Sequence, residues 1–233
     1  MLGFAIAAGA AAVAAGYQSM APAGRWFGRA FCSGPRGSKQ IALTFDDGPN
    51  DPHTLHLLDI LAKHDVRATF FLIGRYARQR PGIVRDIANQ GHVLANHTFT
   101  HPLLIFAPGS QVRREIIECK QAIQDAAGEH SNLFRPPWGG RRPGLFRLVR
   151  QLGLDPILWS VMGYDWNAPS AAYIEQRVAS RIRGGDVVLL HDGGHLALGT
   201  DRSLTVQAVA RLIPRFKSSG HEFVTIPQIL TTQ

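Results

Sequence analysis

From Lys39 onward, short apolar runs alternate with longer amphipathic stretches along the chain. Near-continuous apolar runs are typical of strands that are buried on both faces of a parallel sheet, with helices packed outside. Seven such runs occur: Ile41–Phe45, Ala68–Ile73, Val93–Ala95, Leu133–Phe134, Ile157–Val161, Val187–Leu190 and Phe223–Ile226. The pattern therefore predicts an α/β fold, and about seven strands suit a single barrel-like domain.

Six stretches between the apolar runs have the periodicity of helices. They are Thr54–Lys63, Pro81–Asn89, Ser110–Ala127, Pro143–Gln151, Ala171–Ile182 and Leu204–Lys217. Pro81 and Pro143 stand where a first helical turn begins, and Ser110 and Ser170 can cap a helix. Glycines follow most of these stretches as stop signals. Because no internal repeat or low-complexity linker interrupts this region, we expect one domain over residues 38–233.

The N-terminal region has a different composition. Residues 2–17 carry no charged side chain and are mostly Ala and Gly, and a stretch with Pro and Gly follows to about Gly37. The run is shorter than the roughly 20 apolar residues that a membrane span needs. We expect residues 1–37 to be an apolar leader and linker, acting as an export signal or as the end of a membrane anchor, which places the protein in the cell envelope. The alternative is an Ala-rich helix packed on the domain.

The overall composition permits a sizeable buried core with many turns, since 45% of the residues are hydrophobic and the chain has 24 Gly and 14 Pro. A formal net charge of +8 points toward acidic partners, but the basic residues are scattered along the chain. We therefore interpret them first as solvated surface and second as a weak attraction to acidic surfaces. No aromatic-interleaved basic stripe or nucleic-acid motif accompanies that charge, so we expect no nucleic-acid partner. The two cysteines, Cys32 and Cys119, have no C-x-x-C spacing, and either two free thiols or one disulfide fits.

Polar residues of the types used in catalysis and metal binding fall where the predicted strands end. Five segments carry them: Asp46 and Asp47, His97 and His101, Arg135, Asp165, and His191 and Asp192. In a parallel barrel the carboxyl ends of all strands open on one face, where such folds build their active sites. The spacing therefore predicts that these five segments converge on a single pocket.

The pair His97 and His101 is separated by four residues, so a helical turn or a strand-to-helix corner can direct both imidazoles at one ion. Together with the Asp46 and Asp47 pair, they suggest a site with two histidines, one carboxylate and open positions for water and substrate. Adjacent carboxylates on a strand point in opposite directions, which favours one for the metal and the other for a proton. The alternative is that residues 46–49 form a simple turn, for which Asp, Gly and Pro are favoured.

His191 ends an apolar run, which is an unusual place for a solvated histidine. One interpretation is a core histidine whose hydrogen bonds are satisfied. The other is that Asp165, from the preceding run, orients the imidazole and stabilises its protonated form for work as a general acid. We interpret the remaining histidines as bystanders: His53, His56, His64, His92, His130, His195 and His221.

The chain resembles the polysaccharide deacetylases, the NodB-homology domain of family 4 carbohydrate esterases, in five motifs. They occur in the family's order at Thr44–Pro49, His97–His101, Arg135–Gly139, Asp165–Trp166 and Leu189–Asp192. The first two motifs are highly specific in combination, whereas the last three would be weak alone. The resemblance implies a distorted (β/α) barrel and a hydrolase that removes acetyl groups from N-acetylated sugars of a polysaccharide, such as peptidoglycan or a chitin-type glycan.

The resemblance also implies the catalytic roles. By it, Asp46 is the general base and His191 is the general acid. Arg135 would orient the base, and Asp165 would tune the acid. An amide is a poor electrophile with a poor leaving group, so hydrolysis needs an activated water, stabilisation of the oxyanion and a proton for the departing amine.

The metal and substrate contacts implied by the resemblance complete the site. Asp47, His97 and His101 would hold a divalent metal. Zinc is the usual ion in the family, and cobalt or another divalent ion is the alternative. The backbone N–H of Trp138 would help to bind the oxyanion, and the pocket for the acetyl methyl group would be lined by Trp166 and Leu189.

The chain departs from the family pattern at Met162, where the fourth motif usually begins with an aspartate that supports the arginine of the third motif. Arg135 therefore has fewer carboxylate partners, which puts the fine geometry or the substrate class in question. Two other functions remain open. One is an O-acetyl polysaccharide esterase with the same site, and the other is a catalytically silent glycan-binding module, against which the retained Asp46 and His191 argue.

Overall fold

Eight short parallel strands form one sheet within residues 2–231, the part of the chain that the computed structural model describes. The strands are β1 (Gln40–Asp46), β2 (Thr69–Leu72), β3 (Val93–Asn96), β4 (Leu133–Phe134), β5 (Asp155–Pro156), β6 (Val161–Met162), β7 (Asp186–His191) and β8 (Glu222–Phe223). Seven of them follow the order β5-β4-β3-β2-β1-β7-β6, and β8 pairs with β1 off this path. The seven-stranded path curls into a distorted, incomplete barrel, as the sequence predicted.

The N-terminal segment forms backbone bridges beside β5 and at β7. Phe31 forms a parallel bridge with Ile157 next to β5, and Ser33 forms an antiparallel bridge with Asp186 in β7. The backbone N–H of Phe31 donates to the carbonyl of Pro156, so this segment continues the hydrogen bonding where β5 ends. Residues that precede the expected start of the domain thus contact its sheet.

Helices precede, connect and follow the strands. Within residues 2–231 they are α1 (Leu2–Met20), α2 (His53–Lys63), α3 (Gly74–Gln79), α4 (Pro81–Asn89), α5 (Gly109–Ala127), α6 (Leu145–Gln151), α7 (Ala171–Ala179), α8 (Ser203–Ser218) and α9 (Ile226–Leu230). Two short 3₁₀ turns, Pro137–Gly139 and Asp165–Asn167, follow β4 and β6.

The side chains of β1 show how the strand pattern positions the site. Ile41, Leu43 and Phe45 point outward into a buried cluster formed with α2, α4, α5, α7 and α8. Because successive side chains on a strand point to opposite faces, the even-numbered residues of β1 face the barrel interior, and Thr44 and Asp46 are buried there. The inner cluster also contains Phe71, Phe134, Val187 and Leu189.

Helix α1 has the apolar composition noted in the sequence. Among the described residues, no helix combines the length and hydrophobicity needed to cross a membrane. The end of α1 and the turn after it are bound by Arg141, whose backbone N–H donates to the carbonyl of Ser19 at 3.0 Å and whose guanidinium donates to the carbonyls of Ala21 and Gly24. Arg141 is fully buried by these contacts.

Most predicted elements occur in the structure, with differences at several points. The predicted strand Phe223–Ile226 ends at Phe223, because α9 begins at Ile226, and Ser110 lies inside α5 rather than at its cap. The run Ile157–Val161 is not itself a strand, because β5 and β6 lie at its two ends and Leu158 instead donates its N–H to Phe31. Helices α3 and α9 were not predicted, and helix α6 begins at Leu145 rather than Pro143 because Gly144 has a left-handed φ of 79°. Cys32 and Cys119 are both free thiols.

Candidate active site

The carboxyl ends of β1 and β7 bring two of the predicted residues together. Asp46 and His191 are the last residues of these strands and are partners in the parallel register. Both line a cavity of about 640 Å³ at this end of the barrel. The predicted residues that line this cavity are Asp46, Asp47, His97, His101, Trp138, Trp166, Leu189 and His191. Arg135 and Asp165 lie behind the wall and contact Asp46 and His191.

Asp47, His97 and His101 place three donor atoms within 4.8 Å of one another. The Asp47 Oδ1 atom lies 3.2 Å from Nε2 of His101 and 3.5 Å from Nε2 of His97. Asp47 has a left-handed φ of 72°, so the chain turns immediately after Asp46 and the second carboxylate is directed to the histidines. The chain therefore bends at Asp47, so the backbone reversal of the alternative interpretation and the predicted ligand cluster occur together.

The loop that carries the two histidines is held by side chains from its own strand and from α5. Asn96 accepts a hydrogen bond from the Thr98 N–H through its Oδ1 atom, and Thr98 Oγ1 accepts one from the His101 N–H. The Glu115 carboxylate accepts from the backbone N–H groups of Phe99 and Thr100. Since Thr98 and His101 have left-handed φ values of 68° and 62°, these bonds stabilise a strained backbone.

The chemistry of the donor set fits a divalent cation. Burial lowers the pKa of His97 to about 3 and also lowers the pKa of His101, so both imidazoles are neutral. The Nδ1 atom of His97 lies 2.8 Å from the carbonyl oxygen of Arg135, a contact that places the proton on Nδ1 and leaves the Nε2 lone pair directed at the cluster. The Asp47 Oδ1 atom is buried without a hydrogen-bond donor. A buried acceptor beside two neutral nitrogen donors is the arrangement that a metal such as zinc satisfies.

The Asp46 carboxylate lies between that cluster and Arg135, with its Oδ2 atom 3.7 Å from Nε2 of His97. The Arg135 guanidinium is fully buried and donates to Asp46 Oδ1 at 2.6 Å, to Thr44 Oγ1 at 2.8 Å and to the Leu158 carbonyl at 3.1 Å. Its Cζ atom also lies 4.0 Å from the centre of the Phe71 ring. Arg135 is therefore held by a hydroxyl, a carbonyl and an aromatic ring in a chain that has Met162 in place of the usual aspartate.

Burial raises the pKa of Asp46 above the ordinary aspartate value, and the Arg135 charge opposes this rise. A buried carboxylate with a raised pKa is a stronger proton acceptor than a solvated one, provided that it is ionised at the working pH. The Arg135 contact favours that ionised form. The geometry therefore suits Asp46 to accept a proton from water.

The His191 imidazole is paired with Asp165. Its Nδ1 atom lies 2.8 Å from Asp165 Oδ1, and the backbone N–H of His191 donates to Asp165 Oδ2 at 2.7 Å. Thr205 from α8 donates to the same Oδ2 atom at 2.8 Å. Burial lowers the pKa of His191, but the Asp165 carboxylate outweighs burial and raises the pKa to about 9. His191 is thus a protonated group at neutral pH.

Aromatic side chains form much of the cavity wall. Trp138 has a left-handed φ of 54°, and its ring lies 4.4 Å from the His101 ring. Trp166 packs edge-on against His191 at 5.3 Å and tilted against Tyr164 at 5.1 Å. With Leu189 they form an apolar part of the wall beside the polar groups.

Sequence reasoning missed two parts of this wall. His195 was interpreted as a bystander, but its ring stacks on His101 at 4.8 Å and contacts Trp138 at 5.2 Å. The carbonyl of His195 accepts hydrogen bonds from Arg75 and Tyr76, which hold its loop over the cavity. The N-terminal region, to which no site residue was assigned, contributes Tyr17, Met20, Ala21 and Pro22. The only sequence signal for His195 was its position four residues after His191.

The comparison with known families agrees with the motifs. A family model described as polysaccharide deacetylase matches residues 33–157, more than half of the chain. The chain belongs to the polysaccharide deacetylase family. This membership, with its NodB-homology fold of carbohydrate esterase family 4, confirms the resemblance found in the sequence.

Individual relatives of the family cover most of this chain. A peptidoglycan-N-acetylglucosamine deacetylase of Bacillus cereus is 38% identical over 202 residues, which make up 86% of this chain and 71% of the relative. A chitooligosaccharide deacetylase of Sinorhizobium fredii is 41% identical over 199 residues, or 82% of this chain and 92% of the relative. The crystal structure of a peptidoglycan N-acetylglucosamine deacetylase superposes with a TM-score of 0.81 at 36% identity and covers 87% of this chain and 92% of that one.

Proposed function

We propose that this member of the polysaccharide deacetylase family is a metal-dependent hydrolase that removes acetyl groups from N-acetylated sugars in a glycan such as peptidoglycan or a chitin-type oligomer. One observation carries the proposal. Asp46 and His191 end neighbouring strands and line one cavity with the cluster of Asp47, His97 and His101. A base, an acid and a set of metal ligands thus border the same space.

The two titratable groups divide the proton transfers. Asp46 accepts a proton from the attacking water, and Arg135 holds its carboxylate in place at 2.6 Å. His191 donates a proton to the departing amine, because its pairing with Asp165 keeps it protonated at neutral pH. The amine requires this proton, since an unprotonated amide nitrogen is a very poor leaving group.

The remaining residues bind and orient the acetyl group. Asp47, His97 and His101 would hold a divalent ion, which would polarise the carbonyl and acidify water. The Trp138 backbone N–H helps to bind the oxyanion that forms when the carbonyl is attacked. Trp166 and Leu189 line the part of the cavity that receives the methyl group.

The proposed reaction takes place at the cell envelope, where a polysaccharide substrate is accessible. The names of the relatives from Bacillus cereus and the apolar composition of α1 support this location. Residues 1–37 would then direct export or hold the enzyme at the membrane surface. Fractionation of cells that produce the whole chain tests this point, and recovery only in the cytoplasm would contradict it.

Acetate release from three substrates tests the reaction: an N-acetylglucosamine tetramer, purified peptidoglycan and O-acetylated xylan. We expect release from at least one of the first two, and loss of about 100-fold or more in Asp46→Asn, as for removal of a general base. Asp59→Asn is the matched control, because this substitution makes the same chemical change at an exposed position on α2. Release from xylan alone would favour the O-acetyl esterase, and binding without release would favour the silent module.

A further inference from the structure

A second cavity, of about 780 Å³, adjoins the catalytic cavity. Four residues contribute to the lining of both: Pro22, Trp159, Met162 and Tyr164. None of the four carries a charge. A long substrate that occupies the catalytic cavity can therefore extend across an uncharged wall into the second cavity. The lining of the second cavity includes none of the proposed catalytic residues or metal ligands.

The second cavity is strongly basic. Six arginines line it: Arg25, Arg29, Arg36, Arg150, Arg177 and Arg181. Among the described residues, no aspartate or glutamate lines the cavity with them. One of the six, Arg36, is paired with the buried Asp186 at 2.6 Å. The other five make no ion pair within the described part of the chain.

Several of these guanidinium groups are held in place by the fold. The Arg177 Cζ atom lies 4.0 Å from the centre of the Tyr164 ring, and its Nε atom is buried without a hydrogen-bond partner. Arg150 donates to the Arg29 carbonyl at 2.5 Å, and Arg181 donates to the Arg177 carbonyl at 3.1 Å. Like charges held close together repel one another, and a bound anion relieves that repulsion.

We propose that this basic cavity binds an anionic group on a sugar next to the one that loses its acetyl group. The planar donors of guanidinium match the oxygens of a carboxylate or a phosphate, often through two parallel hydrogen bonds. The substrate is then an acidic glycan rather than a neutral one. This inference rests on the proposed deacetylation, because it assigns the second cavity to the same substrate.

Three N-acetylated tetramers of equal length test the inference: a neutral N-acetylglucosamine tetramer, one with lactyl carboxylates on alternate sugars, and one with phosphates on alternate sugars. The double variant Arg25→Gln with Arg29→Gln removes two exposed guanidinium groups of the cavity. We expect it to lower the ratio of kcat/KM for an anionic tetramer to kcat/KM for the neutral one by about tenfold, mainly through KM, as for the loss of charge-assisted hydrogen bonds. The carboxylate and phosphate arms identify which anion is recognised.

The control is Arg113→Gln with Arg114→Gln, which removes the same charge from two exposed positions on α5. An equal fall in the ratio for both double variants, or no fall in either, would overturn the inference. Calorimetry with Asp46→Asn protein separates this inference from the proposed function, since binding needs no turnover. Tighter binding of an anionic tetramer supports the basic cavity even if no acetate is released by the wild-type protein, and equal binding of all three tetramers refutes it.

Discussion

His191 and Asp165 form a buried pair in which Nδ1 of the imidazole lies 2.8 Å from the carboxylate. Asp165 raises the pKa of His191 to about 9 against the opposing effect of burial. A reaction that needs protonated His191 therefore slows as the pH rises through that value, and one that needs ionised Asp46 slows as the pH falls. The rate profile should be bell-shaped, with His191 on the basic limb.

Asp165→Asn should move the basic limb to lower pH by about 1–3 units, the usual effect of one neighbouring charge, and should leave the metal content unchanged. The pH dependence of kcat measures this shift. Asp59→Asn serves again as the matched control and should leave both limbs in place. A lower rate with an unmoved basic limb would mean that Asp165 only supports its loop.

Arg135 should act on the opposite limb. The guanidinium lowers the pKa of Asp46, so Arg135→Gln should move the acidic limb to higher pH, while Arg135→Lys should move it less because the charge remains. Loss of one partner from a buried ion pair also costs about 3–5 kcal/mol, so the free energy of unfolding should fall in the Gln variant. Denaturant unfolding and the pH profile provide the two measurements. An acidic limb that is unmoved in both variants would exclude this role for Arg135.

His195 should contribute to activity through the stacking of its ring. Stacking on His101 places it beside the cluster of Asp47, His97 and His101. His195→Ala should therefore lower kcat/KM by about three- to tenfold, the equivalent of one aromatic contact. His195→Phe keeps a flat ring and should retain most of the activity. If the Phe variant loses as much as the Ala variant, the nitrogen atoms of His195 matter and the stacking account is wrong. His56→Ala, at an exposed position on α2, is the control.

The N-terminal segment offers a test with two cut points. Removal of residues 2–15 leaves the contacts of Arg141 and the cavity wall in place, so activity and stability should change little. Removal of residues 2–24 takes away the Ala21 and Gly24 carbonyls, to which the buried Arg141 guanidinium donates. That loss should lower the free energy of unfolding by about 2 kcal/mol or more, and kcat/KM should fall as well. If both truncated proteins match the full chain in stability and kcat/KM, residues 16–24 are dispensable and the expectation is wrong.

Much of the fold could be predicted because the barrel strands are short and buried on both faces, so that β1, β2 and β7 stand out as apolar runs. The motif residues could be predicted for a related reason. Asp46 and His191 interrupt that pattern at the strand ends, where parallel strands bring their polar residues to one face.

The parts that were not predicted depend on long-range contacts that carry little local signal. The loop of His195 is fixed by Arg75 and Tyr76, about 120 positions earlier in the chain, and the turn after α1 is fixed by Arg141. The six arginines of the basic cavity are dispersed from Arg25 to Arg181 and form a cluster only in the folded chain. Scattered charge in the sequence was therefore interpreted as solvated surface.

Metal dependence of acetate release tests the central claim most directly. Protein stripped of metal should release no acetate from an N-acetylated tetramer, and titration with zinc or cobalt should restore release with saturation at one ion per chain, since Asp47, His97 and His101 form a single site. His101→Ala protein should stay inactive throughout the titration. Full activity in the metal-free protein, with the metal content verified by elemental analysis, would contradict the account.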